Sequence, residues 1–363
     1  MSQLGYDPTR LLVLDRDGAR IGEVHPRQSS SASWSRVNSD VSQCQGVVGE
    51  PTDALRNLEP WLHQVLVYRG AELAWRGPIV STEATKASLT FVARDPGAYF
   101  DRRRIGQRRT FFQEDLSQIA FKLVSDAMSI DDPFNVVSSA AVAPTGIYAT
   151  RTVFADGRML SEELKDLVDA GLRWTFVGGR LLIGPVAQDY ETATLRDRDI
   201  DGEFSVVKDG TETVTDSLVL GKGVQGNAFD YGSPLGILQG VEKQDALGDE
   251  YQATNAAKRI VKERAITPRR VQLPGDTRLM PTAPLSIPDL VVGAVVPVQT
   301  TATGVAVDSK MLIDGVKVGL KAGGEEVAVS LVDKPLPVDV QELDPPPHGY
   351  FTEDDNPTYG KKV

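Results

Sequence analysis

The sequence is poor in the residues from which many catalytic and metal sites are built. Among 363 residues there are one cysteine, Cys44, and three histidines, His25, His63 and His348. A single cysteine excludes an intramolecular disulfide framework and is compatible with assembly in a reducing cytoplasm. The histidines lack the spacings of zinc hydrolases, so a histidine-based metal site is poorly supported. We therefore predict no metal and no cofactor.

Long apolar runs are also lacking. No run approaches the ~20 residues that a helix needs to cross a bilayer, and the N-terminal residues show no signal-peptide pattern. We expect a chain that neither spans a membrane nor is secreted by the usual route. The content of 41% apolar and 25% charged residues is that of a folded soluble protein. The length suits two to four domains of about 100 to 150 residues.

The charge of the chain is unevenly distributed. Residues 1–110 hold 15 Lys and Arg against 12 Asp and Glu, a net charge of +3, whereas the remainder holds 24 against 38, a net charge of −14. The two parts therefore present different surfaces to partners. An acidic surface repels phosphate backbones, so nucleic-acid binding along the whole chain is not expected, although a local patch could still contact DNA.

The first hundred residues read as successive strands without a helix. We predict strands at 11–14, 20–24, 33–48, 65–80 and 89–93, the fourth being a hairpin that turns at Arg69-Gly70 and is interrupted near Gly77-Pro78. Within the hairpin, Leu73 and Trp75 alternate with Glu72 and Arg76, the period of a half-buried strand. This module should close into a barrel or sandwich, with Leu73 and Trp75 in its core.

Helical periodicity appears further along the chain. We predict helices at 113–128, with a capping box from Thr110 to Gln113, at 160–170, with Gly171 as its C-cap, and at 249–264. A hairpin at 172–183 turns through Gly178-Gly179. Six prolines between 268 and 297 favour irregular structure, and strands at 305–313, 316–320 and 327–332 form a meander that turns at Asp314-Gly315 and at 323–324. The acidic, proline-rich residues 336–363 form an extended arm or a disordered tail.

Several patterns suggest chemistry but have simpler explanations. Cys44 could pair with a histidine as a nucleophile, yet it lies in a strand-like run where a lone cysteine packs as an apolar residue. Residues 221–226 match a dinucleotide fingerprint but no helix follows them to receive a pyrophosphate. Residues 15–18 lack the later ligands of a calcium loop and predict a turn. Glu162 and Glu163 begin a helix, where they favour its dipole.

The one charge cluster is a run of arginines after the predicted first barrel. It consists of Arg102, Arg103, Arg104, Arg108 and Arg109. Guanidinium groups bind carboxylates and phosphates best. Three interpretations remain open for the cluster: a solvated linker, a contact with an acidic surface of another subunit, and a contact with nucleic acid.

The order of these parts resembles the hub proteins at the tail tip of long-tailed bacteriophages, in particular the minor tail proteins of phages infecting actinobacteria. The resemblance covers about residues 8–335 and no single motif is specific. Its carriers are Trp34-Ser35-Arg36, the hairpin residues 68–70 and 75–79, the helix at 113–128, residues 164–176 and 181–183, and residues 217–223.

The resemblance implies a mainly β fold with α+β insertions. Each subunit would carry two tube-forming β-barrels, and three subunits would form a ring of six barrels that matches a sixfold tail tube to threefold tip proteins. The implied parts are a first barrel at 1–106, a mixed α/β insert at 107–190, a second barrel at 191–226 and 269–335, a helix-bearing insert at 227–268 and the tail at 336–363.

The resulting hypothesis is a non-enzymatic structural protein of the virion, a homotrimeric hub at the tail tip that is assembled in the host cytoplasm. Its expected partners are further copies of itself, the tail-tube ring proteins, the tape-measure protein, downstream tip or fibre proteins, and DNA passing through the channel. Glu72, Arg76 and the arginine cluster are candidate intersubunit or channel contacts. The alternatives are a tail-associated cell-wall hydrolase and a host-glycan-binding module that uses Trp34, Trp61 and Trp75.

Overall fold

A computed structural model of the chain provides the structure. The residues that it describes are 9–24, 30–129, 132, 134–187, 190–201, 205–245, 247–267, 269–272, 278–280, 282–301, 304, 307–321, 324–333 and 341–342. The chain divides into two compact units. Unit 1 contains residues 1–209 and 268–334, and unit 2 contains residues 210–267 and 335–363. Of the predicted tail at 336–363, only 341–342 fall within the described residues.

The first hundred residues form strands, as predicted. The strands are β1 (Thr9–Leu14), β2 (Arg20–Val24), β3 (Ser31–Val37), β4 (Gln43–Gly49), β5 (Gln64–Arg69), β6 (Glu72–Ala84) and β7 (Ser88–Arg94), with a single-turn helix α1 (Asp53–Arg56) and a 3₁₀ helix at Pro96–Arg102. The run predicted at 33–48 is two antiparallel strands. The loop at Asp15 to Gly18 is a hairpin turn, since Gly18 has a φ of +87°.

The hairpin of β5 and β6 contains both features expected of it. Gly70 turns the chain with a φ of +59°. At Gly77-Pro78 the pairing of β6 with β5 ends and its pairing with β7 begins. A Cβ atom built on Gly77 would lie 1.8 Å from the carbonyl oxygen of Arg94, so only glycine allows this exchange of partners. Trp75 is buried, whereas Leu73 is only half-buried because Ala74 forms a bulge between them.

Residues 109–183 form a mixed α/β region. Its elements are β8 (Arg109–Asp115), α2 (Leu116–Met128), α3 (Val136–Ser139), β9 (Ala141–Val142), β10 (Tyr148–Val153), α4 (Leu160–Asp169), β11 (Trp174–Val177) and β12 (Arg180–Ile183). Gly171 follows α4 with a φ of +111°, and Gly178 and Gly179 both have positive φ in the β11–β12 turn, as predicted. The expected capping box of α2 is wrong. Asp115 caps this helix by accepting from Ser117, because strand β8 already includes Thr110 and Gln113.

The rest of the chain returns to strands around one long helix. The elements are β13 (Leu195–Arg196), β14 (Ile200–Asp201), β15 (Ser205–Lys208), β16 (Asp216–Leu220), β17 (Gln225–Phe229), β18 (Gln239–Lys243), α5 (Glu250–Arg264), β19 (Arg269–Gln272), β20 (Arg278–Leu279), β21 (Val295–Thr300), β22 (Val307–Lys321), β23 (Gly324–Asp333) and β24 (Gln341–Glu342), with 3₁₀ turns at Asp197–Asp199 and Ile287–Asp289. Helix α5 confirms the helix predicted at 249–264.

One large sheet joins the N-terminal and C-terminal strands of unit 1. Its order is β15-β19-β23-β22-β3-β4-β7-β6-β5-β1-β2, and β21 with β13 branches from β22. The sheet curls, since Arg69 on β5 forms an ion pair of 3.0 Å with Glu325 on β23, and Thr9 on β1 also bonds Glu325. Buried residues from both sequence regions, such as Trp34 and Val318, form one contiguous apolar cluster. The strands assigned to two barrels therefore share a sheet and a core.

The meander predicted at 305–320 is a single strand. No turn occurs at Asp314-Gly315, because Asp314 is a bulge and β22 continues through it. The buried positions before the bulge are Met311 and Ile313, and those after it are Val316, Val318 and Leu320. The extra residue changes the phase of the alternation, so that both halves of the strand face the same core.

Unit 2 has its own small core. Strands β18, β16, β17 and β24 form a four-stranded sheet, and α5 packs on one face of it through Ala253, Ala257 and Ile260. Residues 210–226, assigned above to the second barrel, thus belong with the helix-bearing segment. A Cβ on Gly226 would lie 2.1 Å from the backbone nitrogen of Thr254, which explains the glycine.

Candidate assembly surfaces

The arginine cluster is divided among several local partners. Arg109 forms an ion pair with Asp126 on α2, with Nη2 donating over 2.6 Å to Oδ1, and this hydrogen bond raises the pKa of Arg109. Arg104 lies 3.5 Å from Asp156 in an exposed pair. The carbonyl of Arg103 accepts from the backbone of Leu160 at the start of α4. These partners of the three arginines all lie within the mixed region.

The other two arginines of the cluster stack on aromatic rings. The guanidinium carbon of Arg102 lies 5.5 Å from the ring centre of Trp61, and that of Arg108 lies 5.1 Å from the ring of Phe154. Both side chains are exposed, and neither pairs with a carboxylate among the described residues. A guanidinium stacked in this way keeps its N–H edge available for carboxylates or phosphates.

Arg76 and Glu72 occupy different environments. Arg76 lies over the ring of Phe134 at 4.6 Å, and a Cβ on Gly179 would meet its side chain at 2.4 Å. Burial lowers the pKa of Arg76, an effect opposed by Tyr68 and Asp132. Glu72 is exposed beside the β5–β6 turn. Arg76 thus lies between the large sheet and the mixed region, whereas Glu72 lies at the surface.

The two stacked ends, Arg102 and Arg76, belong to one column that sequence reasoning missed. The ring centres of Trp61 and Tyr99 are 5.3 Å apart in an edge-to-face contact, and those of Tyr99 and Phe134 are 6.0 Å apart. The column therefore consists of three aromatic rings with an arginine at each end. Trp61 and Phe134 have φ values of +66° and +81°. Bulky residues adopt this conformation only where surrounding contacts impose it. The column fixes the mixed region against the first strands.

A buried polar network lies at the same junction. The carboxylate of Asp95 accepts from the backbone and hydroxyl of Ser42 at 2.7 and 2.5 Å, and from the backbone of Gly97 at 2.9 Å. Trp75 donates through Nε1 to the Ser42 hydroxyl at 3.0 Å. Burial raises the pKa of Asp95 to about 7, although these hydrogen bonds act to lower it.

Arg36, from the motif Trp34-Ser35-Arg36, is a second buried group. Its guanidinium donates to the carbonyls of Ile287 and Leu290 at 3.0 and 2.7 Å and to the carbonyl of Ala74 at 3.1 Å. Burial lowers its pKa to about 10, and the charge of Glu72 opposes this shift. Arg36 therefore connects β3, β6 and the 3₁₀ turn at Ile287–Asp289.

An open apolar surface lies on the two-stranded sheet of β8 and β10. One face is buried through Phe111, Ala149 and Val153. On the other face Phe112, Tyr148 and Phe154 are 76%, 54% and 61% exposed. Thr110 and Thr152 bond across this face at 3.2 Å, between Phe154 and Phe112. We name the outward side chains Arg108, Phe112, Tyr148 and Phe154 the aromatic ribbon. In the sequence, the signal for this surface was an aromatic residue, Phe112, at a position of β8 where alternation predicts a polar side chain.

A second surface is a shallow groove on the outer face of the large sheet. It has a volume of about 440 Å³ and crosses β23, β22, β3, β4 and β7. Its side chains include Ser33, Gln45 and Thr90, together with one cation, Lys317, and one anion, Glu326. The groove mixes these polar groups with apolar side chains such as Val47, Leu320 and Val327, and its charge is close to neutral.

The residues weighed for catalysis have structural roles. Cys44 is fully buried in the core, as the apolar interpretation predicted, and burial raises its pKa. Glu163 is buried and forms ion pairs with Arg151 and Arg158. Residues 221–224 form the turn between β16 and β17, and residues 225 and 226 begin strand β17 instead of a helix. These positions do not support the hydrolase alternative.

The remaining candidates are placed as follows. Nδ1 of the buried His63 accepts from the backbone of Glu59 at 2.7 Å, and His25 and His348 lie outside the described residues. Trp34 and Trp75 are buried, so of the three tryptophans proposed for glycan binding only Trp61 is partly accessible. Among the described residues no group of His, Cys, Asp and Glu could hold a metal ion, and no helix is long and apolar enough to cross a membrane.

Comparisons with known proteins identify the fold. No protein-family model matches the chain, and no curated protein matches it in sequence. Solved structures do match. The 43 kDa tail protein of prophage MuSo2 from Shewanella oneidensis is 15% identical with a TM-score of 0.58, and the match covers 90% of this chain and 100% of that one.

Two further structures give the same result. The tail protein from Neisseria meningitidis MC58 is 14% identical with a TM-score of 0.59, over 90% of this chain and 97% of that one. The prophage tail protein gp18 from Listeria monocytogenes EGD-e is 15% identical with a TM-score of 0.56, over 90% and 95%. These matches do not single out actinobacterial phages. The chain has the mainly β fold of prophage tail proteins.

Proposed function

We propose that this chain is a non-enzymatic structural protein of a phage tail tip. The observation that carries the proposal is the likeness to three tail proteins, which spans 90% of this chain and at least 95% of each of the others. A likeness of this extent includes the mixed region and unit 2 as well as the large sheet. The structural roles found for Cys44 and Glu163 agree with a role in assembly.

The chain would act as a homotrimeric hub that joins a sixfold tail tube to threefold tip or fibre proteins. Two tube-forming regions per subunit, one from β1–β7 and one from β21–β23, would supply six around the ring. Their pairing through β3 and β22 supports this arrangement, because it holds the two regions in fixed register. The partners would be the tail-tube ring proteins, the tape-measure protein and the downstream tip proteins, in virions assembled in the host cytoplasm.

The nearly neutral groove on the large sheet is our candidate for the surface that lines the DNA exit channel. Proteins bind DNA tightly when clustered cations displace the counterions of the phosphates. This groove instead offers hydroxyl and amide groups from Ser33, Gln45 and Thr90, and its single Lys317 is balanced by Glu326. Such a surface would let DNA pass without holding it.

The mass of the assembled protein tests the hub. Three copies of the 39.3 kDa chain give about 118 kDa, and light scattering on the purified protein should report this mass. Symmetry in electron micrographs of tail tips provides the second readout, with threefold density expected at this subunit. A protein that stays monomeric or forms hexamers in both experiments would contradict the trimer.

A further inference from the structure

The aromatic ribbon has the composition of a surface that another chain covers. Phe112, Tyr148 and Phe154 expose more than half of their side chains on one face of a two-stranded sheet. Soluble proteins rarely leave neighbouring aromatic groups open to water unless a partner binds them. The threonines between them, Thr110 and Thr152, are small and keep the face flat enough for an extended chain.

The charge beside the ribbon specifies the chemistry of that partner. Arg108 stacks on Phe154 and pairs with no carboxylate among the described residues. Among the described residues Arg104 pairs with the exposed Asp156 alone, at 3.5 Å, and such a surface pair contributes little to stability. Aromatic faces accept proline rings and arginine edges accept carboxylates. An extended segment with prolines and acidic residues would satisfy both.

The chain contains such a segment just after β24, outside the described residues. Residues 343–357 have four acidic residues, no lysine or arginine, and the run Pro345-Pro346-Pro347 followed by Tyr350 and Phe351. The acidic residues are Asp344, Glu353, Asp354 and Asp355. At ~3.3 Å per residue an extended segment of this length reaches roughly 50 Å.

We propose that residues 343–357 of one copy bind the aromatic ribbon of a neighbouring copy. The prolines and aromatics of this segment pack on Phe112, Tyr148 and Phe154, and its carboxylates face Arg104 and Arg108. The segment carries four carboxylates and no lysine or arginine, a charge opposite to that of Arg104 and Arg108, which favours contact between them. The choice of a neighbouring copy rests on the proposed trimer.

Cross-linking between two full-length chains tests the contact. One chain carries Thr152→Cys in the ribbon, and a second, differently tagged chain carries Thr352→Cys in the segment. The only native cysteine, Cys44, is buried and does not compete. After the chains are mixed and treated with a short bismaleimide, we expect a covalent product that contains both tags. The control chain carries Thr85→Cys in the turn between β6 and β7.

Matched variants separate the proposed contact from general damage. Phe154→Ser with Arg108→Glu should lower the yield of the mixed product at least about tenfold. Tyr251→Ser, which removes an equally exposed aromatic on α5, should not change it. Replacing Glu353, Asp354 and Asp355 with lysine should also lower the yield, and combining that change with Arg104→Glu and Arg108→Glu should restore it.

The proposal would be overturned by equal yields of the mixed product from Thr152→Cys and Thr85→Cys. It would also be overturned if a chain carrying both Thr152→Cys and Thr352→Cys formed cross-links only within itself. The mass measurement distinguishes this failure from that of the hub. A trimer without the mixed product contradicts only the docking of the segment, and a mixed product in an assembly that is not a trimer contradicts only the trimer.

Discussion

Arginine stacked on an aromatic ring occurs both at the buried junctions and on the exposed surface of this molecule, with different consequences. Arg36 over Trp34 and Arg76 over Phe134 lie between elements of unit 1. Arg102 over Trp61 and Arg108 over Phe154 lie at the surface. The four arginine–ring contacts are similar, but only Arg36 and Arg76 have lost most of their contact with water.

The loss of water decides what each arginine does. A buried guanidinium depends on protein acceptors, and Arg36 donates through Nη1 and Nη2 to the carbonyls of Ile287, Leu290 and Ala74, while its Nε has no hydrogen-bond partner among the described residues. An exposed guanidinium exchanges freely between water and a partner. The buried pair therefore stabilises the fold, whereas the exposed pair keeps N–H groups that exchange with water.

The strongest test of this comparison is Arg36→Met. Three buried carbonyls would lose donors from a charged group, each worth about 1.5 to 3 kcal/mol, so we expect the free energy of unfolding to fall by about 5 kcal/mol. Urea unfolding at neutral pH, followed by tryptophan fluorescence, measures the change. A loss below about 1 kcal/mol would show that the carbonyls find water instead.

The buried junction should also give the stability of the protein a pH dependence. The pKa of Asp95 is about 7 in the folded chain and about 3.9 when unfolded. The folded state therefore holds its proton more tightly. This stabilisation is complete below pH 4 and is lost as the pH rises to about 7, with a total of up to about 4 kcal/mol.

Asp95→Asn removes this ionisation and isolates its contribution. The difference in unfolding free energy between parent and variant should change across pH 4 to 7, with the parent losing stability relative to the variant as the pH rises. Chemical unfolding at several pH values gives the slopes. Parallel slopes for the two proteins would show that Ser42 and Gly97 keep the carboxylate charged throughout this range.

The packing of the mixed region against the sheet can be tested at one glycine. Gly178 has a φ of +57°, and a Cβ there would lie 2.6 Å from the carbonyl oxygen of Leu73. Gly146 has a φ of +73° with nothing within 4 Å. We expect Gly146→Ala to cost about 1 kcal/mol for backbone strain alone, and Gly178→Ala about 2 to 3 kcal/mol. Thermal unfolding of the two variants measures both losses of stability. Equal losses would mean that the backbone at the junction shifts easily to accommodate the new Cβ atom.

Local features of the fold were predictable from sequence. The strand at β2, the helix at α5 and the glycine turn at Gly178-Gly179 each depend on neighbouring residues, through periodicity, capping and positive φ. The buried position of Trp75 followed from alternation. Long-range pairing was not predictable, because nothing near β3 or β22 in the sequence signals that they are adjacent.

The candidate surfaces likewise combine features that were predictable from sequence with features that depend on long-range folding. The arginine cluster was visible as composition, yet the partner of each arginine is set by folding: Asp126 for Arg109 and Phe154 for Arg108. The bulge at Asp314 reversed the alternation of β22 and resembled a turn. Asp95 carried no signal, since its pKa depends on burial by elements that the sequence does not place together.

The smallest expected effect completes the comparison between buried and exposed arginines. Arg108→Ala removes a guanidinium that stacks on Phe154 in water, and exposed cation–π contacts are worth about 0.5 to 1 kcal/mol. We expect the free energy of unfolding to fall by no more than about 0.5 kcal/mol, because solvent replaces most of what is lost. Urea unfolding beside Arg36→Met gives both values under one set of conditions. A cost above about 2 kcal/mol at Arg108 would mean that the aromatic ribbon stabilises the subunit itself, and its arginine would then belong with the buried pair.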